Sequence, residues 1–318
     1  MLRSMLHAWL ALPLLAFALQ SPGDVVTTPA GVPQAVNEAI PSLADQLTFG
    51  VNGPRMTVPV QIASAGPFDF IIDTGAQRTV ISRALANELK LARGRDVHVM
   101  AMTGGSSVST VVIPDIRVST IGGERIEAPA LDGTNLGAPG MLGIDTLQGH
   151  AVAIDFDRQT MALTPSSRKT RTERHDPDEI VIRARSLLGQ LVVTDAYVKG
   201  DRVRVIIDTG SVVSMGNEAL RRKVMRRKQP DAPIQLISVT GGTLQADYTA
   251  LDTIKIGDLS INALPIAFAD APPFATFGLK DKPAILLGMD ALRLFRRVHI
   301  DFANREVRLL MPREARRG

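Results

Sequence analysis

The sequence predicts an all-β protein with a few short helices, built as two closed, barrel-like lobes related by a pseudo-twofold axis. Three observations carry that expectation. Val, Ile, Leu, Thr and Gly are plentiful while aromatics make up only 4% of the 318 residues, a balance that favours short β-branched strands joined by glycine turns over a helical bundle. A hydrophobic content of 45% is ample for two domains of about 150 residues each. Most informative, the chain repeats itself once, in order, over most of its length.

The repeat is carried by four motifs. Phe70-Ile71-Ile72-Asp73-Thr74-Gly75 returns 135 residues later as Val205-Ile206-Ile207-Asp208-Thr209-Gly210. Thr103-Gly104-Gly105-Ser106 returns as Thr240-Gly241-Gly242-Thr243, and Met141-Leu142-Gly143-Ile144-Asp145 as Leu286-Leu287-Gly288-Met289-Asp290. Ile154-Asp155-Phe156 returns as Ile300-Asp301-Phe302, and Pro165 and Pro312 close the copies. The offset grows slowly along the chain, so the second copy carries small insertions, the largest in the proline-containing loop Ala271 to Pro283. The copies occupy residues 46–165 and 180–312. Between them, 166–179 is polar, charged and aperiodic, an exposed linker.

Within each copy the same elements are expected. Thr57 to Ile62 and Leu191 to Val198 read as strands, followed by turns at Ser64-Ala65-Gly66-Pro67 and Lys199-Gly200-Asp201. Phe68 to Ile72 and Val203 to Ile207 read as the returning strands, and their apolar runs predict burial on both faces. Ser82 and Asn217 are candidate N-caps for helices over Arg83 to Leu91 and Glu218 to Lys228. Further strands are expected at Val108 to Ile113, Asp115 to Ser119, Tyr248 to Ile256 and Leu264 to Phe268. Each copy closes in a hairpin around Asp155 or Asp301, which read as turn formers.

The N-terminus reads as a signal peptide over residues 1–19: Arg3, the apolar run Ala8 to Leu19, and the small-x-small triplet Ala16-Phe17-Ala18. The run is too short to span about 30 Å of hydrocarbon comfortably. Export to the periplasm or the medium is therefore expected, with an uncleaved N-terminal anchor as the alternative. Residues 20–45, rich in Pro, Ala and Val, read as a flexible tether. The net charge of +4 is concentrated in Arg168 to Arg174, Arg221 to Lys228 and a basic tail, 313–318. No aromatic or glycine pattern interleaves these charges, so they read as solvated surface and no nucleic-acid partner is expected. Membrane contact is expected only through the signal or anchor segment.

Several chemistries are excluded or disfavoured. The chain has no cysteine, which removes disulfides, a thiol nucleophile and cysteine-ligated zinc. His7, His98, His150, His175 and His299 have no ligand spacing, so neither a metal site nor a cofactor is expected. No G-x-S-x-G is present, which disfavours an α/β-hydrolase triad.

What remains is a pair of carboxylates. A charged Asp at the end of an apolar strand is costly unless paired or used. If the two Asp-Thr-Gly loops meet about the axis, Asp73 and Asp208 become neighbours, cannot both ionise, and hold one proton between them. One then serves as general base on a water and the other as proton donor to a carbonyl oxygen, chemistry suited to amide hydrolysis. Thr74 and Thr209 are placed to bond across the interface, and Gly75 and Gly210 to let the backbones approach. Ala76 and Ser211 keep the floor open, and the Ser211 hydroxyl is expected to reach the outer oxygen of Asp208. Asp145 and Asp290 read as structural, bonding backbone or an arginine.

Two Asp-Thr-Gly triplets, each after an apolar strand and each followed by an apolar-apolar-Gly segment, resemble the aspartic peptidase superfamily. The spacing within one unit is similar to the retroviral-type, retropepsin-like domain, present here twice as in bacterial two-repeat proteins of that kind. The resemblance covers roughly residues 50–165 and 180–312. It implies the acid-protease fold and an endopeptidase acting on peptide or protein substrates in extended conformation, with Asp73 and Asp208 as the catalytic pair. It further implies that the segments ending in Gly143 and Gly288 support the triplet loops from beneath. Thr103, Gly104 and Gly105, with Thr240, Gly241 and Gly242, would form two flaps over the substrate. The pepsin-like branch fits less well: the first flap region has no tyrosine, Tyr248 lies beyond the second, and there is no cysteine. Two alternatives stand beside this reading. One is a catalytically inactive peptide-binding or scaffold protein of the same fold. The other is pairing of each unit with its counterpart in a second chain, although the linker is long enough to favour lobe pairing within a monomer.

Overall fold

The structure, a computed structural model, describes residues 57–118, 121–167, 179–225 and 232–312, together with the dipeptide Leu10–Ala11. Apart from Leu10–Ala11, which lie within the expected signal segment, the signal-peptide, tether and basic-tail readings, and residues 168–178 of the linker, lie outside the described residues. Strand β1 is Leu10–Ala11. The first copy continues with β2 (Thr57–Ile62), β3 (Ala65–Ile72), β4 (Val80–Ser82), helix α1 (Arg83–Glu88), β5 (Ala92–Ala101), β6 (Gly104–Val118), β7 (Ile121–Leu131), α2 (Gly133–Leu136), β8 (Gly140–Leu142), α3 (Ile144–Leu147), β9 (His150–Asp155) and β10 (Thr160–Pro165). The second has β11 (Glu179–Arg183), β12 (Arg185–Leu187), β13 (Gln190–Val198), β14 (Asp201–Ile207), β15 (Met215–Gly216), α4 (Glu218–Val224), β16 (Ala232–Ile237), β17 (Thr243–Ile256), β18 (Leu259–Phe268), α5 (Pro272–Thr276), β19 (Ala284–Leu287), α6 (Met289–Leu292), β20 (Arg297–Asp301) and β21 (Glu306–Leu310).

The protein is mostly β, and its strand order shows the duplication directly. In the first lobe β6-β2-β3-β8-β4-β7 run side by side, and β7 pairs back onto β6 to close a six-stranded barrel. In the second lobe β17-β13-β14-β19-β15-β18 form the equivalent ring, closed by β18 on β17. Closure removes the free edges that an open sheet of this size would expose. β3 and β14, which carry the apolar runs, are flanked by strands on both sides, and Phe70, Ile72, Val205 and Ile206 are fully buried.

A third sheet, β10-β9-β20-β21-β11, joins the lobes. Its middle pair, β9 and β20, are equivalent strands of the two copies, antiparallel in the register Asp155↔Arg297, Ala153↔His299 and Ala151↔Asp301. Equivalent residues exchange places across that ladder, so the pseudo-twofold axis passes between Ala153 and His299. The main apolar cluster runs without a break from Val58, Phe70 and Leu142 through Val152, Ile154, Val298 and Ile300 to Val205 and Leu287. The lobes therefore share one core.

Several boundaries differ from the sequence reading. The first turn is Ala63-Ser64, with Ile62 paired to Ala65 and Ala63 at φ 53°, so β3 begins before Gly66-Pro67. Ser82 and Asn217 cap α1 and α4 through their side-chain oxygens as expected. However, α1 stops at Glu88, where Lys90 at φ 51° turns the chain into β5, and α4 ends at Val224. The two strands expected on either side of Pro114 are one, β6, with a register shift between Ile113 and Ile116 absorbing the proline. β5 and β7 lack a clean period in sequence and were not expected; β16 was not expected either, although buried Ile234 and Leu236 alternate with exposed Pro233 and Gln235. The insertion Ala271 to Pro283 contains a helix, α5, opened by Pro272 in its first turn.

Because the core is continuous, a cavity at the joint should be felt by both lobes. Ile300→Ala is expected to cost about 2–5 kcal/mol. Urea unfolding followed by circular dichroism should show a single transition moved to lower denaturant; two transitions, only one of them moved, would contradict a shared core.

Candidate active site

β3 and β14 deliver Asp73 and Asp208 to the seam between the lobes. The Asp73 N–H donates to the Leu142 carbonyl (2.9 Å) and the Asp208 N–H to that of Leu287 (3.0 Å), so each supporting strand holds its aspartate from beneath. Both side chains are 0% exposed. The inner oxygen of each carboxyl is fixed by two amides. Asp73 Oδ1 accepts from Gly75 and Ala76 (2.9 Å each), and Asp208 Oδ1 from Gly210 (3.1 Å) and Ser211 (3.2 Å). The outer oxygens, Oδ2 of each, receive no donor from the surrounding protein, and the two carboxyls lie close enough to act on each other. Gly210 packs against the Asp73 carboxyl with no room for a Cβ, which is the reason glycine is needed there.

The electrostatics follow from that geometry. Burial pushes both groups upward, Asp208 to about 7 against the pull of its two amides and of Asp73. Asp73 is raised well above the ordinary carboxylate value by burial and then by the charge of Asp208. The pair therefore titrates as a unit: burial opposes ionisation of either carboxyl, and the charge of the first to ionise opposes ionisation of the other.

The two triplet loops are tied by the threonines. The Thr74 N–H donates to Thr209 Oγ1 (3.1 Å) and the Thr209 N–H to Thr74 Oγ1 (3.0 Å). In turn the Thr74 hydroxyl donates to the Ile207 carbonyl (2.8 Å) and the Thr209 hydroxyl to that of Ile72 (2.7 Å). Each hydroxyl accepts once and donates once, across the seam and within a single chain. The Ser211 hydroxyl does not reach Asp208: it donates to the Val213 carbonyl (2.8 Å), and it is the Ser211 amide that holds Asp208. Since Ala76 supplies the same amide, positions 76 and 211 treat the two carboxyls alike.

Beneath the loops, Gly143 and Gly288 lie against the turns Arg78-Thr79 and Val213-Ser214, where a Cβ would meet backbone. Their N–H groups donate to Thr79 Oγ1 and Ser214 Oγ (3.0 Å each). Asp145 accepts from the amide and hydroxyl of Thr79 (2.8 Å each), and Asp290 from those of Ser214 (2.8 and 2.6 Å). Thr79 and Ser214 were not singled out from the sequence, although they stand at the same 135-residue offset as the aspartates. Asp155 and Asp301 hold hairpin turns by accepting from Arg158 and Asn304 amides (2.9 Å each). Gln190, also not anticipated, is fully buried and donates from Nε2 to the Gly75 carbonyl.

The glycine-rich segments belong to two hairpins. β5 and β6 turn through Met102 and Thr103, with Gly104 (φ 119°) and Gly105 already on β6, where Gly105 leaves room for the His98 ring. β16 and β17 turn through the wider loop 238–242; Gly241 (φ 87°) donates to the Ser238 carbonyl (2.8 Å), and the Thr240 and Ser238 hydroxyls are 3.0 Å apart. The tips meet, for a Cβ on Gly242 would collide with Thr103. Among the described residues no three His, Asp or Glu side chains cluster to hold a metal ion.

Residues 58–149 match the family profile described as a gag-polyprotein aspartyl protease, and residues 194–291 match that described as an aspartyl protease. The matches fall one in each copy and together cover more than half of the chain. No curated protein matched the chain.

Two outcomes are expected of this site. Thr209→Val strips the Ile72 carbonyl of its donor and the Thr74 amide of its acceptor, and should cost about 1–3 kcal/mol for each buried group left unpaired, measured by denaturant unfolding. The second concerns pH. A buried carboxyl whose folded pKa is raised contributes stability below its unfolded value of about 4 and loses it as pH climbs through about 7, by up to ~1.4 kcal/mol per unit. Asp208→Asn has no such proton to lose. Its melting temperature should exceed that of the wild type at pH 8, with the advantage fading at pH 4; a variant less stable than wild type at pH 8 would refute the raised pKa.

Proposed function

Because the chain belongs to the aspartic peptidase superfamily, as a two-repeat member of the retropepsin-like kind, we propose that it is an endopeptidase that hydrolyses peptide bonds through Asp73 and Asp208. The observation that carries this reading is the pair of carboxyls itself. They are buried and coupled, each held by its inner oxygen alone and each presenting an outer oxygen with no protein donor. A fold has no structural need for two such groups side by side, whereas amide hydrolysis without a covalent intermediate needs one acid and one base at one place.

In the proposed reaction the ionised Asp208 takes a proton from a water whose oxygen bonds to the substrate carbonyl carbon. Asp73 gives its proton to the carbonyl oxygen, and a neutral gem-diol forms. Asp208 then passes its proton to the amide nitrogen as the C–N bond breaks, and a diol hydroxyl returns a proton to Asp73. The pair ends as it began, with one proton. The threonine bonds and the amides at residues 75, 76, 210 and 211 keep both carboxyls at fixed separation through this cycle. Substrate is proposed to lie as an extended strand between the two hairpins and the triplet loops. The chain is proposed to act as a monomer, its two lobes pairing about one site. Export, proposed from Arg3 and the Ala8 to Leu19 run, would put that site outside the cytoplasm.

Asp73→Asn and Asp208→Asn are each expected to lower kcat by about 10²–10⁴-fold or more. The assay is cleavage of a peptide library from pH 3 to pH 9, where the wild type should show a bell-shaped profile whose limbs belong to the pair. A variant that cleaves at the wild-type rate would sink the single-site reading, and an inert wild type would favour a peptide-binding scaffold.

A further inference from the structure

The two hairpin tips are exchanged between the lobes. Met102, at the tip of the first-lobe hairpin, is 1% exposed and belongs to an apolar cluster of the second lobe with Val213, Phe274, Phe277 and Leu279. Val239, at the tip of the second-lobe hairpin, is 0% exposed and belongs to a first-lobe cluster with Ala76, Val80, Leu131 and Leu136. Both clusters border the carboxyls. Ala76 donates its amide to Asp73, and Val213 holds the Ser211 hydroxyl in the loop after Asp208. The tips hold each other down: Gly242 has no room for a side chain against Thr103, and a Cβ on Gly241 would lie 2.9 Å from Asn135 Nδ2 at the first lobe's wall. With both tips in place neither carboxyl has any accessible surface.

Substrate reaches the pair only if what covers it moves, and departure of either tip would empty an apolar pocket beside a carboxyl. We infer that Met102 and Val239 are the resident occupants of the two pockets that receive the substrate side chains on either side of the scissile bond, so that substrate binds by displacing the protein's own side chains. This rests on the peptidase reading. It also assigns an unequal preference. The second-lobe pocket is walled by two phenylalanines from the insertion carrying α5, and α5 packs against β5. It holds a long, unbranched thioether, a good partner for aromatic rings. The first-lobe pocket is aliphatic and holds a short β-branched chain. A matching peptide carries Met, Leu or Phe on the side facing the second lobe and Val, or a residue of similar size, on the other.

The absence of cysteine makes the displacement measurable without relying on catalysis. Met102→Cys and Val239→Cys, each in an Asp208→Asn background, are labelled with a thiol reagent, using Leu188→Cys at the exposed Leu188 (54% exposed) as reference. Both tip positions are expected to react at least ~10-fold more slowly than the reference. The rate should rise several-fold when peptides with central Phe–Val and Val–Phe pairs are added, and should not respond to a Ser–Ser control. Labelling as fast as the reference, or tips unmoved by peptides that the wild type cleaves, overturns the inference. In parallel, Met102→Ala and Val239→Ala are profiled on a library randomised at the two residues flanking the cleaved bond. Each should lower KM several-fold across the library, because the displaced occupant no longer competes, with the preferences at the two flanking positions unaltered; a preference shifted towards larger side chains at one position would show that the tip side chain stays in the pocket beside the substrate and would overturn the displacement. If the wild type cleaves nothing, the peptidase reading fails, and the labelling experiment still decides whether peptides displace the tips.

Discussion

Two carboxyl groups buried against each other at the seam of a duplicated chain set the terms for everything around them. Neither can keep its charge without cost in so dry a place, and both cannot be charged at once. The protein meets this with two amides on each inner oxygen and with carboxyls whose burial holds their pKa values up. That solution holds only if the two loops stay in fixed register, since a small slip would separate the carboxyls or strand an unpaired charge. The reciprocal threonine bonds, the glycine at 210 and the supporting Leu142 and Leu287 carbonyls all act on that register.

The same requirement explains the outer architecture. A site made half by each lobe is only as rigid as the joint between lobes, and here the joint is a five-stranded sheet over a core that runs through both. The axis that relates β9 to β20 also relates the two aspartates. Below each loop the pattern is repeated in different residues, Thr79 with Asp145 and Ser214 with Asp290, each hydroxyl serving one carboxylate and one glycine amide. Threonine and serine are interchangeable there because only the hydroxyl is used.

The symmetry breaks where substrate would enter. One hairpin turns in two residues and the other in five, one wall is a short helix after Asp132 and the other the longer insertion with Phe274 and Phe277, and Gln190 holds one triplet loop. The two copies agree in what surrounds the carboxyls and differ in the hairpins and walls above them.

Much of this was legible in the sequence. Local chemistry decides a strand that must be apolar on both faces, a glycine where backbones touch, and an Asn or Ser that caps a helix. The spacing of such residues therefore disclosed the lobes, their order and the residues that would meet at Asp73 and Asp208. The hairpin arm β5 was not legible, because a strand exposed along much of its length carries no strict period; β16 was missed although Ile234 and Leu236 alternate with Pro233 and Gln235, a run too short to stand out beside the proline. Nor was the orientation of the Ser211 hydroxyl, a choice between two nearby acceptors made by loop geometry. Least of all could the sequence show that Met102 and Val239 exchange lobes. Each looks like an ordinary apolar residue beside a glycine pair, and its partner lies more than a hundred residues away, brought within reach only when both rings have closed.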